Sequence, residues 1–247
     1  MKICRFTPGG VIPRWGVVEG ETVYEVSYNH GGPLIAHDLS EINLLPPVMP
    51  GKVICVGLNY RDHAEEMRQD LPEEPVLFLK PPSAVIGPGK PVICPQTSRR
   101  VDYEAELAVV MSKTARCIPA ADACRYILGY TCANDITARD LQAKDGQWTR
   151  AKSFDTFLPL GPYLVSGLDP DNLDISLYLN GERKQHSNTS RLIFTVPRLI
   201  NFISSVMTLE PGDVILTGTP AGVGRLNRGD TVEVVIEGVG RLINPVK

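Results

Sequence analysis

Asp102-Tyr-Glu-Ala-Glu-Leu-Ala-Val-Val-Met111 is the stretch on which the reading of this chain turns. If Tyr103 to Met111 is a strand, alternate side chains share a face, so Glu104 and Glu106 stand side by side. Leu107-Ala-Val-Val-Met111 is apolar on both faces, which carries the strand into a core. Two carboxylates at that spacing repel unless a cation bridges them, and buried ones need a partner. A solvated strand face is the reading the pair alone leaves open.

Outward from this stretch, short strands and tight turns dominate. Lys52 to Gly57 reads as a buried strand and Val76 to Leu79 as another apolar run. Gly129 to Asn134, Val214 to Thr217 and Thr231 to Ile236 are further strands, and Ile175 to Leu179 runs into the hairpin signal Asn180-Gly181. Helices are few. Asn59 to Arg68 and Ala120 to Ile127 are short ones, and Val196 to Met207 is amphipathic, apolar at Leu199, Ile200, Ile203 and Val206. With 22 Gly and 21 Pro punctuating many short strands, the pattern predicts a β-rich α+β fold and argues against repeated βαβ units. Residues 1–47 read as a small β-rich N-terminal domain, with a Pro-containing linker from Leu45 to Gly51. Residues 48–247 form the larger domain.

A net charge of -3 with dispersed signs offers no phosphate footprint, so nucleic acid is not an expected partner. An anionic substrate would need a local cation. Six cysteines lack any CxxC pair and most sit in apolar surroundings, which predicts reduced, buried thiols. The N-terminus has no apolar signal segment and no run approaches a membrane span, so a cytoplasmic protein away from membranes is expected.

Asp135 follows a strand-like run and is either a helix N-cap or, with Glu104 and Glu106, a third oxygen ligand. Three carboxylates suit a hard cation such as Mg²⁺ or Mn²⁺, with Ca²⁺ a possible substitute; zinc is disfavoured because Cys and His lack ligand spacing. His63 and Glu66 are three apart, so a helix puts them on one face as an oriented base or as a solvated pair. Lys152 can pair with a substrate carboxylate or be a surface charge. Thr217-Gly-Thr-Pro-Ala-Gly-Val-Gly224 is a Gly-rich loop whose N–H groups can bind an anion, but it lacks the Gly-Lys-Ser/Thr of a phosphate loop.

Six blocks in order resemble the fumarylacetoacetate hydrolase family: Gly57-Leu-Asn-Tyr-Arg-Asp-His63, Pro75-Val-Leu-Phe-Leu-Lys80, Asp102-Tyr-Glu-Ala-Glu-Leu107, Asn134-Asp-Ile-Thr-Ala-Arg-Asp-Leu-Gln142, Ala151-Lys-Ser-Phe-Asp155 and Leu216-Thr-Gly-Thr-Pro220. The resemblance runs from about Lys52 to the C-terminus. It implies a mixed β-sandwich roll, a homodimer, metal ligands at Glu104, Glu106 and Asp135, and oxo-acid contacts from Arg139, Gln142, Lys152 and Thr219. It also implies a His63–Glu66 pair that activates water on a mobile segment, with Lys152 adding catalytic charge. The short N-terminal part matches the branch holding acylpyruvate hydrolases, oxaloacetate decarboxylases and the isomerase/decarboxylase of homoprotocatechuate breakdown.

The implied chemistry is metal-assisted enolate formation from a small 2-oxo or 2,4-dioxo acid such as an acylpyruvate, fumarylpyruvate or oxaloacetate. The His63–Glu66 pair makes C–C hydrolysis or decarboxylation the expected outcome. The alternatives are 2-hydroxyhepta-2,4-diene-1,7-dioate isomerase with the associated tricarboxylate decarboxylase, and a non-catalytic oxo-acid-binding protein stabilised by metal.

Overall fold

The computed structural model describes residues 1–10, 12–26 and 35–247. Its main element is a twelve-stranded mixed sheet with Ala105–Met111 near the middle, every residue of that strand buried. Antiparallel neighbours are Ile127–Asn134 on one side and Val214–Leu216 on the other. The strand's two faces feed two cores. Leu107, Val109 and Met111 join one apolar cluster, and Ala108 and Val110 join another. This two-sided burial is why the run lacks polar alternation.

Beyond Val214–Leu216 lies Val53–Gly57, paired in parallel, and then the edge strand Val76–Lys80. Leu158–Val165 flanks Ile127–Asn134 on the opposite side. The N-terminal strands continue from there: Lys2–Thr7 pairs with Leu158–Val165 and carries Arg14–Glu19, Thr22–Glu25 and Ala36–Asp38 beyond it. Cys4, Phe6, Val18 and Val23 form a small cluster of their own there. A four-stranded antiparallel sheet, ordered Glu182–Asn188, Asp174–Leu179, Thr231–Ile236 and Gly240–Pro245, covers the larger core. Its first hairpin turns at Asn180 and Gly181, both at positive φ, as a two-residue loop of this kind requires.

Several expectations shift in detail. The strand expected from Tyr103 to Met111 is interrupted at Glu104: Val101–Tyr103 belongs to a separate three-stranded sheet with Thr137–Ala138 and Gly224–Leu226. The interruption follows from where the backbone bonds go. Glu104 N–H donates to the Asn134 side chain (2.9 Å), its carbonyl accepts from Asp135 N–H (2.8 Å), and Ala105 N–H donates to Gln185 Oε1 (2.9 Å). The first helix is Arg61–Met67, because the Asn59 side chain is buried and tied to Phe194 and Thr217 backbone groups, while Arg68 closes the helix in the left-handed region. Ala120–Tyr126 is a 3₁₀ segment. In the Val196–Val206 helix the expected apolar residues are buried except Val206, which is 56% exposed at the helix end. Cys4, Cys55 and Cys132 are buried free thiols, but Cys117 and Cys124 are exposed, contrary to the expectation for most of the six. Among the described residues no helix is long and apolar enough to cross a membrane.

Candidate active site

The register of the Ala105–Met111 hairpin with Ile127–Asn134 sets Ala105 opposite Asn134. Asp135, one residue past that strand, therefore arrives beside Glu104, and Glu106 follows two residues on. One carboxylate oxygen from each of the three lies within 4.8 Å of the others, and all three side chains are buried. Asp135 is not a helix N-cap; Arg139–Asp145 starts four residues later.

Cations surround this acidic group unevenly. Lys152 Nζ bridges Glu104 Oε2 (2.8 Å) and Asp135 Oδ2 (2.7 Å), and Lys80 Nζ donates to Asp135 Oδ1 at 2.6 Å. Arg139 pairs with Glu104 and, at 3.0 Å, with Asp102. Both lysines are almost fully buried, so their pairing is not a surface effect. Glu106 is different. Among the described residues it has no ion-pair partner, and its Oε2 accepts only from Gly218 N–H, at 2.6 Å. Gly218 sits at φ +100°, and a Cβ there would lie 2.8 Å from the Asn59 Cβ, so the position demands glycine to aim its N–H at the carboxylate.

Ionisation follows this asymmetry. Burial works against the Glu104 anion, but the charges and hydrogen bonds of Lys152 and Arg139 outweigh it and hold the carboxyl at about 2. Burial, reinforced by the Asp135 and Glu104 charges, pushes Glu106 far above the ordinary carboxylate range. Burial also opposes the Lys152 ammonium, yet Asp135 and Glu104 keep it protonated well into alkaline pH. Glu106 must hold either a proton or a cation. Three carboxylates with converging oxygens, one without an ion-pair partner among the described residues, fit a hard divalent cation.

Eight of the nine residues singled out from the sequence line one cavity of about 190 Å³: His63, Glu104, Glu106, Asp135, Arg139, Gln142, Lys152 and Thr219. Glu66 stands behind His63, its Oε2 3.1 Å from Nδ1, and is itself held by Gly222 N–H at 3.1 Å. With Nδ1–H given to Glu66, Nε2 is the nitrogen able to accept a proton. Gln142 Oε1 accepts from Arg139 Nη1 (2.6 Å), and Thr219 Oγ1 accepts from Gln185 Nε2 (2.9 Å), leaving the Thr219 hydroxyl proton free to donate. Phe78 and Trp148, edge to face at 5.2 Å, form the apolar wall. Gly57 makes room for them, since a Cβ there would lie 2.8 Å from the Trp148 ring. The N–H groups of the Gly-rich loop are taken by the protein's own side chains, Gly218 N–H donating to Glu106 and Gly222 N–H to Glu66.

Sequence reasoning left out Lys80, Asp102 and Gln185. Signals existed for the first two: Lys80 ends an apolar strand, and Asp102, Glu104 and Glu106 repeat at period two. Gln185 lies in the polar run Glu182–Asn188, where nothing marks one residue as buried, yet its side chain joins the Ala105 backbone to Thr219 and Pro220.

Residues 52–247 match the family described as fumarylacetoacetate (FAA) hydrolase C-terminal, and residues 1–47 match one described as Rv2993c-like, N-terminal. A protein of Archaeoglobus fulgidus is 59% identical over 90% of this chain and 91% of its own length. The mitochondrial oxaloacetate tautomerase of Rattus norvegicus is 46% identical over 84% of this chain and 70% of its own. Among solved structures, the 5-carboxymethyl-2-hydroxymuconate delta-isomerase of Mycobacterium smegmatis superposes with a TM-score of 0.91 at 47% identity, covering 100% of this chain and 98% of that one. The maleylpyruvate hydrolase of Sphingobium sp. SYK-6, in complex with manganese (II) ion and pyruvate, superposes at 0.85 with 32% identity, covering 100% and 98%. The shared fold, the six ordered blocks and the family match over residues 52–247 together lead to one conclusion: this chain belongs to the fumarylacetoacetate hydrolase family.

Proposed function

We propose that this chain is a divalent-metal-dependent enzyme that moves a proton at C3 of a small 2-oxo dicarboxylic acid of the oxaloacetate type, interconverting keto and enol forms. The observation that carries this reading is the single cavity in which the Glu104–Glu106–Asp135 group, Lys152 and His63 all meet. At about 190 Å³ it lies below the roughly 300–1,000 Å³ of sites for drug-sized ligands, which suits a compact acid.

Charge supports an anionic substrate. Asp102, Glu104, Glu106 and Asp135 carry −4 when ionised; their partners Lys80, Lys152, Arg139 and Arg100 carry +4, leaving 0, and a dication makes this +2. Glu104, Glu106 and Asp135 would hold a divalent cation, which when bound would supply Lewis-acid polarisation of the 2-oxo group. Lys152 adds positive charge where the oxo oxygen gains negative charge as C3 loses its proton. His63, oriented by Glu66, takes that proton from C3 and, as imidazolium, returns one to the oxo oxygen directly or through water, so that the enol forms and the base is restored with no net proton gained. Arg139, Gln142 and Thr219 offer donors for the substrate carboxylates. Relatives at 46% and 47% identity named as a tautomerase and an isomerase favour proton transfer over bond cleavage.

C–C hydrolysis of a 2,4-dioxo acid, or decarboxylation, is the second reading, supported by the His63–Glu66 pair and the likeness to maleylpyruvate hydrolase. The same residues then direct water at the C4 carbonyl, or release CO₂. The test is one enzyme preparation with Mg²⁺, Mn²⁺ or chelator. Oxaloacetate enolisation is followed by ultraviolet absorbance beside CO₂ release and cleavage of acetylpyruvate and fumarylpyruvate. Cation-dependent enolisation faster than any cleavage supports the first reading. Faster cleavage transfers the assignment to the second, and no turnover of any of them rejects both.

A further inference from the structure

Apart from the active-site cavity there is a recess of about 220 Å³ lined by four arginines, Arg99, Arg100, Arg225 and Arg228, and by no acidic residue among the described residues. Its walls come from residues 94–101 and 225–228, which run into the paired strands Val101–Tyr103 and Gly224–Leu226, with Arg225 opposite Asp102. Arg225 Nη2 donates to the Arg99 carbonyl at 2.9 Å, which brings one arm of the recess over the other. Among the described residues, Arg99, Arg225 and Arg228 take part in no ion pair, although the chain carries more acidic than basic residues. The carboxylates nearest the recess are used elsewhere, Asp140 by Ser98 Oγ and the Arg99 N–H and Asp230 by the Asn227 N–H and the Asn180 side chain, so the four guanidinium groups are open to an anion from solvent. Guanidinium forks are the side chains best shaped to hold phosphate or carboxylate oxygens in pairs.

The recess also has a route to the active site. Asp102, fully buried, accepts from Arg100 Nε of the recess at 2.9 Å and from Arg139 Nε of the active-site cavity at 3.0 Å. Arg139 in turn holds Glu104 and Gln142. An oxyanion that engages Arg100 competes with Asp102 for the same guanidinium, and Asp102 then leans on Arg139 alone.

We propose that this arginine recess is a second binding site, specific for a compact oxyanion bearing two or more negative charges, and that its occupancy reaches Arg139 through Arg100 and Asp102. The ligand class comprises phosphate-bearing and polycarboxylate metabolites, which share charge density and paired oxygens.

The test uses the full-length, Mg²⁺-loaded protein at constant ionic strength, with inorganic phosphate and the tricarboxylate tricarballylate as separate probes in titration calorimetry. Expected is saturable binding of one probe per chain, at least tenfold weaker in Arg225→Gln/Arg228→Gln and unchanged in Lys152→Ala, whose lesion is in the active site. The probe bound more tightly identifies the ligand class. Binding that does not saturate, or that Arg225→Gln/Arg228→Gln leaves intact, overturns the site. Loss of binding in Lys152→Ala assigns the probe to the active site and overturns it equally. For the link, the KM for oxaloacetate should shift at least threefold under saturating probe in the wild type and not in Arg225→Gln/Arg228→Gln. An equal KM response in both proteins overturns the communication through Asp102. The calorimetric arm is independent of turnover, so an inactive preparation does not prevent the site from being judged.

Discussion

Replacing Lys80 by Met should weaken the metal-free protein and strengthen its hold on a divalent cation, two opposite effects of one missing charge. Lys80 Nζ lies 2.6 Å from Asp135 Oδ1 and 3.1 Å from the Ile136 carbonyl, with no solvent contact. Met keeps most of the side-chain volume, so the lesion is electrostatic. Asp135 retains Lys152 at 2.7 Å, but that ammonium is shared with Glu104. Removing one partner of a buried ion pair costs about 3–5 kcal/mol, and at roughly 2–4 °C per kcal/mol for a chain of this size the midpoint should fall by about 6–20 °C. The ionised site then stands at −1 instead of 0, so Mg²⁺ should bind at least tenfold tighter, about 1.4 kcal/mol. Scanning calorimetry across a Mg²⁺ series reads both quantities. The stability gap between wild type and Lys80→Met should be widest in chelator and close as the cation is added. A midpoint within 2 °C of wild type without cation, or weaker cation binding, refutes the charge balance drawn here.

Three further outcomes follow from the same geometry. Mg²⁺ at a hundredfold excess over its dissociation constant should stabilise the wild type by about 2.7 kcal/mol, and chelator should remove that gain, while Glu104→Gln/Glu106→Gln responds to neither. In pH-dependent melting of the metal-free protein, Glu106 and Glu104 act oppositely. Glu106 is raised in the folded chain, so its contribution is full below the ordinary glutamate value of 4.5 and is lost as pH rises; Glu106→Gln should flatten that loss. Glu104 is lowered to about 2, so its contribution is present above 4.5 and disappears as pH falls towards 2, a decline that Glu104→Gln should lack. His63→Ala should reduce turnover roughly 10²-fold or more, as loss of a general base does, while oxalate affinity persists; unchanged turnover would make the His63–Glu66 pair structural.

Much of the site could be read along the chain because its chemistry is local in sequence. Glu104 and Glu106 are separated by one residue and Asp135 ends the neighbouring strand. His63 and Glu66 are one helical turn apart, and Arg139 and Gln142 likewise. Period-two and period-three spacing is enough to pair such residues. The element boundaries were less accurate where side chains capture backbone groups. Asn134 and Gln185 divert the bonds of Glu104 and Ala105 and break a strand that is continuous by composition. Asn59 does the same at the start of the first helix.

Residue types and their spacing are enough to mark what converges: an apolar strand bearing paired carboxylates, an Asp at the end of its neighbour, an oriented His, and six blocks whose order marks the family. The balance of charge among them is a product of the fold. Lys80 reaches Asp135 across 55 residues, Gln185 reaches Ala105 across 80, and Gly218 reaches Glu106 across 112. Such contacts depend on the parallel and antiparallel register of strands that are not consecutive in the chain. Local propensity carries no information on that register; it is set by packing both faces of Ala105–Met111 against separate cores. That packing leaves Glu106 buried with, among the described residues, the Gly218 N–H for its only hydrogen bond.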